Sequence, residues 1–301
     1  MRPRIFMAFM ALTVSFAAHA MTPKSIIVFG ESFSDSGNLY HLYDDWGLEP
    51  DTWGWFTDGR IGNGPNWADY LAGFYNNVPP MEASSYGGTN YAVGGADSSF
   101  GLGFYGYGST GMQVSQFLDD AGNIKGRGNV LIAFWIGGND LATGMPLEES
   151  MGNISIQLNA LIDAGALHFL VPNMFPLGFA PDVLVGNTVF DSPETANSAA
   201  AAFNDAMMEL LRETKCSRPS VHFYVVDTHQ LMLDVLADPL AYGFQNTSEP
   251  VTWFGGDPET SFWWDGIHQT TRFQSLIADS AAVVIDHAGG GLKCQTTAID
   301  D

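Results

Sequence analysis

Three side chains in this sequence have the types and the spacing for nucleophilic catalysis. Ser32 stands two residues after Gly30, which ends the apolar run Ile26-Ile27-Val28-Phe29, and it opens a polar cluster closed by Gly37-Asn38. A β-branched apolar run that stops at a glycine reads as a buried strand, so the hydroxyl is delivered to the rim of a sheet. His268 lies three residues after Asp265, across Gly266, in Trp264-Asp265-Gly266-Ile267-His268-Gln269. A carboxylate so placed can accept from the imidazole, fix its tautomer and stabilise the imidazolium. A serine to attack, a histidine with a pKa near ~6.5 to take its proton and an aspartate to orient the histidine make up the chemistry of acyl transfer. The competing reading makes Ser32 or Ser34 the N-cap of a helix after an ordinary turn, and Asp265 and His268 two unrelated residues of a solvated loop.

The other histidines suit the base less well. His168 and His222 fall inside apolar, strand-like runs and read as structural. His229 opens a helix, His287 ends one, and His41 sits in a stretch rich in Trp and Asp.

These residues need a frame that brings them together. Short apolar runs predict strands over 25–29, 89–93, 130–136, 167–171 and 221–226. Helical spacing predicts helices over 65–72, 112–118, 148–164, 193–214, 228–236 and 272–287. Residues 40–63 read as an irregular surface excursion. Strands alternating with helices define an α/β class: a three-layer α/β/α sandwich around a mostly parallel five-stranded sheet. The run Val130-Leu131-Ile132-Ala133-Phe134-Trp135-Ile136 is apolar on both faces, as a strand covered by helices on both sides must be. Such sheets bind ligands beyond the carboxyl ends of their strands. Ser32, Gly94-Gly95 and Asn139 each follow a predicted strand, so parallel strands would bring all three to one edge.

The chain has 301 residues and a formal net charge of −22. That acidity disfavours nucleic acid and anionic membranes as partners. The first twenty residues read as a cleaved secretory signal: Arg2 and Arg4, an apolar core, then Ala18-His19-Ala20. Secretion or a periplasmic location is expected, with residues 21–301 forming one domain and a short tail from about 289. No later run is long and apolar enough for stable membrane insertion. In an oxidising compartment the two cysteines are expected to pair as Cys216–Cys294. They cannot build a zinc cage alone, and neither Cys-x-x-Cys nor His-Glu-x-x-His occurs, so no metal or cofactor is expected.

An ordered set of short blocks adds to this. They are Phe29-Gly30-Glu31-Ser32-Phe33-Ser34-Asp35-Ser36-Gly37-Asn38, Gly59-Arg60-Ile61-Gly62-Asn63-Gly64-Pro65-Asn66-Trp67, Gly88-Thr89-Asn90-Tyr91-Ala92-Val93-Gly94-Gly95-Ala96, Gly137-Gly138-Asn139-Asp140, Val171-Pro172-Asn173, Tyr242-Gly243-Phe244 and Asp265-Gly266-Ile267-His268. In order and content the set resembles the GDSL, or SGNH, family of serine esterases and lipases, in its phospholipase/lecithinase/hemolysin-like branch. The resemblance implies a flavodoxin-like SGNH hydrolase fold and hydrolysis of acyl esters. It makes Ser32 the nucleophile, Asp265 and His268 its partners, and Ser32 N–H, Gly95 N–H and the Asn139 side chain the oxyanion donors, with Gly94 the adjacent alternative to Gly95. It leaves the substrate open between lipid or short-to-medium acyl esters and acetylated carbohydrate. A catalytically inactive binding module is the third reading.

The sequence departs from the family's pattern at two points. Glu31 stands where the family has Asp, at a position whose carboxylate is expected to support the turn, and Gln269 replaces the proline after the histidine, which would loosen that loop. The aromatic residues Trp46, Trp53, Trp55, Phe56, Phe100, Phe104, Tyr105 and Tyr107 are candidates to line an acyl groove or to stack on a sugar.

Overall fold

The structure, a computed structural model, describes residues 21–103, 106–127, 129–287 and 291–294. The predicted signal over 1–20 and the groove candidates Phe104 and Tyr105 lie outside those residues, as does the side chain of Trp53.

The strands are β1 (Ser25–Gly30), β2 (Phe56–Thr57), β3 (Arg60–Ile61), β4 (Val130–Trp135), β5 (His168–Pro172) and β6 (His222–Val226). The helices are α1 (Asn38–Asp45), α2 (Trp67–Gly73), α3 (Thr110–Ala121), α4 (Gly138–Thr143), α5 (Leu147–Asp163), α6 (Pro181–Leu184), α7 (Pro193–Ser217), α8 (Thr228–Ala237), α9 (Val251–Phe254) and α10 (Thr271–Asp286). The main sheet runs β1-β4-β5-β6 with every pairing parallel.

Each strand face enters a different core. Ile26 and Val28 of β1, with Leu131, Ala133 and Trp135 of β4, pack with Trp67 and Leu71 of α2 and Phe273 and Ile277 of α10. Ile27, Phe29, Ile132 and Phe134 pack on the opposite side with Phe117 of α3, Leu158 of α5 and Phe203 of α7. The period-2 alternation thus feeds two apolar layers, which is why these strands read as continuous apolar runs.

The sheet has four strands, not the five expected. Residues 89–93 do run parallel beside β1: Val28 N–H donates to Thr89 O at 3.0 Å and Tyr91 N–H to Val28 O at 2.8 Å. Bounded by the turns at Gly87-Gly88 and Gly94-Gly95, the segment is too short for more than isolated bridges, to Val28 on one side and to Ala83 on the other, both made by Asn90. Its N–H donates to Glu82 O, its carbonyl accepts from Ser84 N–H, and its side chain enters the turn after β1. The 40–63 excursion is also more ordered than its composition suggests, holding most of α1 and the β2–β3 hairpin.

Local signals set the main helix starts. Asn66 caps α2 in a reciprocal box with Asp69, and Ser192 does the same for α7 with Thr195, with Pro193 in the first turn. Cys216, near the end of α7, forms a disulfide with Cys294. Among the described residues no helix is long and apolar enough to cross a membrane.

Candidate active site

Ser32 leaves the end of β1 in a turn held from beneath by buried polar groups. Asp35 Oδ1 accepts from Gly37 N–H and Asn38 N–H, both at 2.7 Å, and its Oδ2 from Leu39 N–H at 3.0 Å. Asn90 Nδ2 donates to Ser34 O and Ser36 Oγ, and Asn66 Nδ2 to Asp35 O. On the other side of β1, the buried Gln113 clamps Gly30, accepting from its N–H at 3.0 Å and donating to its carbonyl at 2.8 Å. Sequence reasoning missed Gln113, because one amide on a helix face carries no pattern; only its burial marks it.

His268 is carried by a tight reversal in which Trp264 N–H donates to His268 O at 2.8 Å and Trp263 pairs with Gln269. Asp265 Oδ1 accepts from Ile267 N–H at 2.9 Å and from His268 N–H at 2.7 Å. Its carboxylate also meets His268 Nδ1, at 2.8 Å from Oδ2. Burial alone would raise the Asp265 pKa, but the His268 imidazole and the two backbone donors hold it below the ordinary carboxylate value. Gly266 is required here for lack of space: a Cβ would overlap the Asp182 carboxylate, whose backbone N–H donates to Gly266 O at 2.9 Å. Gln269 is buried and bonded into this reversal rather than left as a slack link.

The two loops meet. His268 Nε2 lies 2.8 Å from Ser32 Oγ. With Nδ1–H donating to Asp265, Nε2 is left as the acceptor for the serine hydroxyl. Phe33, stacked on Trp135 at 5.3 Å, lies 5.3 Å from the His268 ring and walls it from behind.

The residues after the other strand ends arrive at the same edge. Asn139 Nδ2 donates to Ala96 O at 2.9 Å, beside Gly95, and to Glu31. Gly94 N–H is committed to Asp35 Oδ2 at 2.8 Å, whereas the N–H groups of Gly95 and Ser32 meet no acceptor among the described residues. The aromatic excursion closes toward this edge: Trp264 Nε1–H donates to Trp55 O at 3.3 Å. Trp46, Tyr107 and Phe56 gather around Tyr43, whose hydroxyl bonds that of Tyr107. The structural reading of two histidines also has a form: His168 and His222 are cross-strand partners with rings stacked at 5.0 Å, and burial first, then His222, lowers His168 to about 4.

Comparison with known proteins follows this geometry. The profile of GDSL-like lipase/acylhydrolases matches residues 26–281, and the chain belongs to that family. It is accordingly a carboxylic-ester hydrolase. It is similar to a GDSL esterase/lipase of Arabidopsis thaliana, 27% identical over 91% of this chain and 89% of the relative. An acetylesterase of Thermothelomyces thermophilus is 26% identical over 87% of this chain and 88% of its own length. Among solved structures, a member of the lipolytic G-D-S-L family from Veillonella parvula shares the fold. Its TM-score is 0.50 and its identity 14%, over 86% of this chain and 97% of that one.

Proposed function

We propose that the chain is an exported serine esterase, one hydrolase domain from residue 21 onward, acting on lipid or short-to-medium acyl esters through an acyl-enzyme. The observation that carries the mechanism is the continuous path Ser32 Oγ–His268 Nε2 and His268 Nδ1–Asp265, at 2.8 Å for each link. Ser32 Oγ attacks the ester carbonyl carbon as His268 takes its proton. The imidazolium, held by Asp265, returns that proton to the leaving alcohol oxygen as the carbon–oxygen bond breaks. Water then repeats the sequence on the acyl-serine and releases the acid.

The carbonyl oxygen becomes an anion in both steps and needs donors already in place. Ser32 N–H and Gly95 N–H fill that role, joined by Asn139 Nδ2, which gives up one of its resting partners, Glu31 or Ala96 O, as the anion forms. The two backbone groups have no acceptor of their own, while Asp35 occupies Gly94. The disulfide supports export, since such bonds persist in oxidising compartments.

The esterase/lipase relatives support an apolar acyl chain, while the aromatic cluster around Tyr43 suits an acyl chain or a sugar face alike. The acetylesterase relative supports a second reading, removal of acetyl groups from carbohydrate. Hydrolysis of p-nitrophenyl esters from acetate to palmitate, by wild type and Ser32→Ala together, tests both. Activity lost in the variant supports the serine esterase, and the preferred chain length separates the two substrates. A folded wild type inert on the whole series would leave the inactive module.

A further inference from the structure

The mechanism above makes no use of Glu31, a buried carboxyl one residue before the nucleophile and 2% exposed. It does not support its own turn, a task performed by Asp35. Its side chain instead crosses to the loop after β4. Oε1 accepts from Gly138 N–H at 2.8 Å, and Oε2 accepts from Asn139 Nδ2. The contact is close: a Cβ at 138 would lie 3.0 Å and 3.1 Å from the two Glu31 oxygens. The second hydrogen of Asn139 Nδ2 goes to Ala96 O at 2.9 Å. Both amide hydrogens are therefore held at rest, one by the residue that precedes Ser32 and one by the residue that follows Gly95.

We propose that Glu31 is a positioning residue that ties the nucleophile turn to the loop carrying Asn139 and holds the Asn139 amide at that edge, from which one Nδ2 hydrogen turns from its resting partner to the forming oxyanion. The proposal rests on the reading of Asn139 as an oxyanion donor. Burial, opposed by the Gly138 bond and reinforced by the neighbouring Asp140, raises the Glu31 pKa to about 8. Near neutral pH the group then places little negative charge beside the oxyanion it helps to meet.

The test is a mutant cycle on p-nitrophenyl acetate, with kcat and KM measured separately and folding checked by thermal melting. The variants are Glu31→Ala, Glu31→Gln, Glu31→Asp, Asn139→Ala and the double Glu31→Ala/Asn139→Ala. Asn139→Ala is expected to lower kcat by about 10²- to 10³-fold, the scale of a lost oxyanion donor, and Glu31→Ala by a smaller factor of about 10-fold or more, both with KM nearly unchanged. The double variant is expected to match Asn139→Ala alone, because Glu31 acts only through Asn139. Glu31→Asp and Glu31→Gln are expected to fold and to fall between wild type and Glu31→Ala, and they carry the test if Glu31→Ala does not fold. Multiplying losses in the double variant, or wild-type kcat in all three Glu31 variants, would overturn the proposal. Wild-type kcat in Asn139→Ala would overturn the reading of Asn139 itself, and this proposal with it.

Discussion

Asp265 grips His268 at two points, accepting from its backbone N–H at 2.7 Å through one oxygen and from Nδ1 at 2.8 Å through the other. The residue that orients the imidazole also fixes the backbone that carries it. Asp265→Asn should therefore lower kcat by roughly 10³- to 10⁴-fold, because the amide favours the wrong tautomer. Glycine or alanine at 265 should in addition loosen the loop, seen as faster exchange of the Ile267 and His268 amide hydrogens. Near-wild-type kcat in Asp265→Asn would remove Asp265 from the mechanism.

Two buried carboxyls should give stability opposite slopes with pH. Glu31 has a folded pKa raised to about 8, above its ordinary 4.5, so the folded state holds a proton that the unfolded state releases between those values. Its contribution is fully present below about 4.5 and is lost as pH rises through about 8, at roughly 1.4 kcal/mol per pH unit. Asp265 is depressed, so its contribution is present above the ordinary carboxylate pKa and is lost as pH falls through its folded value. Denaturant midpoints followed from pH 5 to 8 should show a smaller loss in Glu31→Gln than in wild type. Equal slopes would show that Glu31 ionises freely in the folded protein.

Gly266 and Asp182 should be coupled. Gly266→Ala puts a methyl into the Asp182 carboxylate and is expected to cost about 1–3 kcal/mol as an overpacked contact. It should also lower kcat by moving His268. Asp182→Ala in the same chain makes room and should restore most of both. Strictly additive effects of the two substitutions would place the cost in the backbone at 266 instead.

The disulfide should affect stability and leave chemistry alone. Cys216 and Cys294 are 78 residues apart, and a closed loop of that length is worth about 4 kcal/mol in the chain-entropy estimate. Cys216→Ser/Cys294→Ser should melt well below wild type yet keep its kcat at temperatures where both are folded. Loss of kcat in the folded variant would show that the bond shapes the site.

The sequence makes the site more legible than its supports. Ser32, Asp265, His268 and Asn139 stand in short blocks after strands or in a tight turn, where spacing constrains chemistry. The strands β1, β4, β5 and β6 appear in sequence because both of their faces are apolar. Residues 89–93 carry the same pattern yet make only isolated bridges, to Val28 and to Ala83, because the turns at Gly87-Gly88 and Gly94-Gly95 keep the paired stretch short. That the Gly94 N–H is already taken is likewise not legible in sequence, because the Asp35 carboxylate that accepts it lies 59 residues away. The destination of Glu31 is hidden in sequence for the same reason: the loop it bonds at Gly138 is 107 residues away.

The closed loop between Cys216 and Cys294 has a further consequence. Asp265 and His268 lie inside this covalent ring, and Ser32, which His268 meets, lies outside it. A protease that cuts once between those cysteines cannot release the segment bearing His268. Both fragments stay tethered, and the serine keeps its partner within reach while the core holds. Under the proposed activity, a single nick would then mark the chain on a reducing gel without ending its turnover.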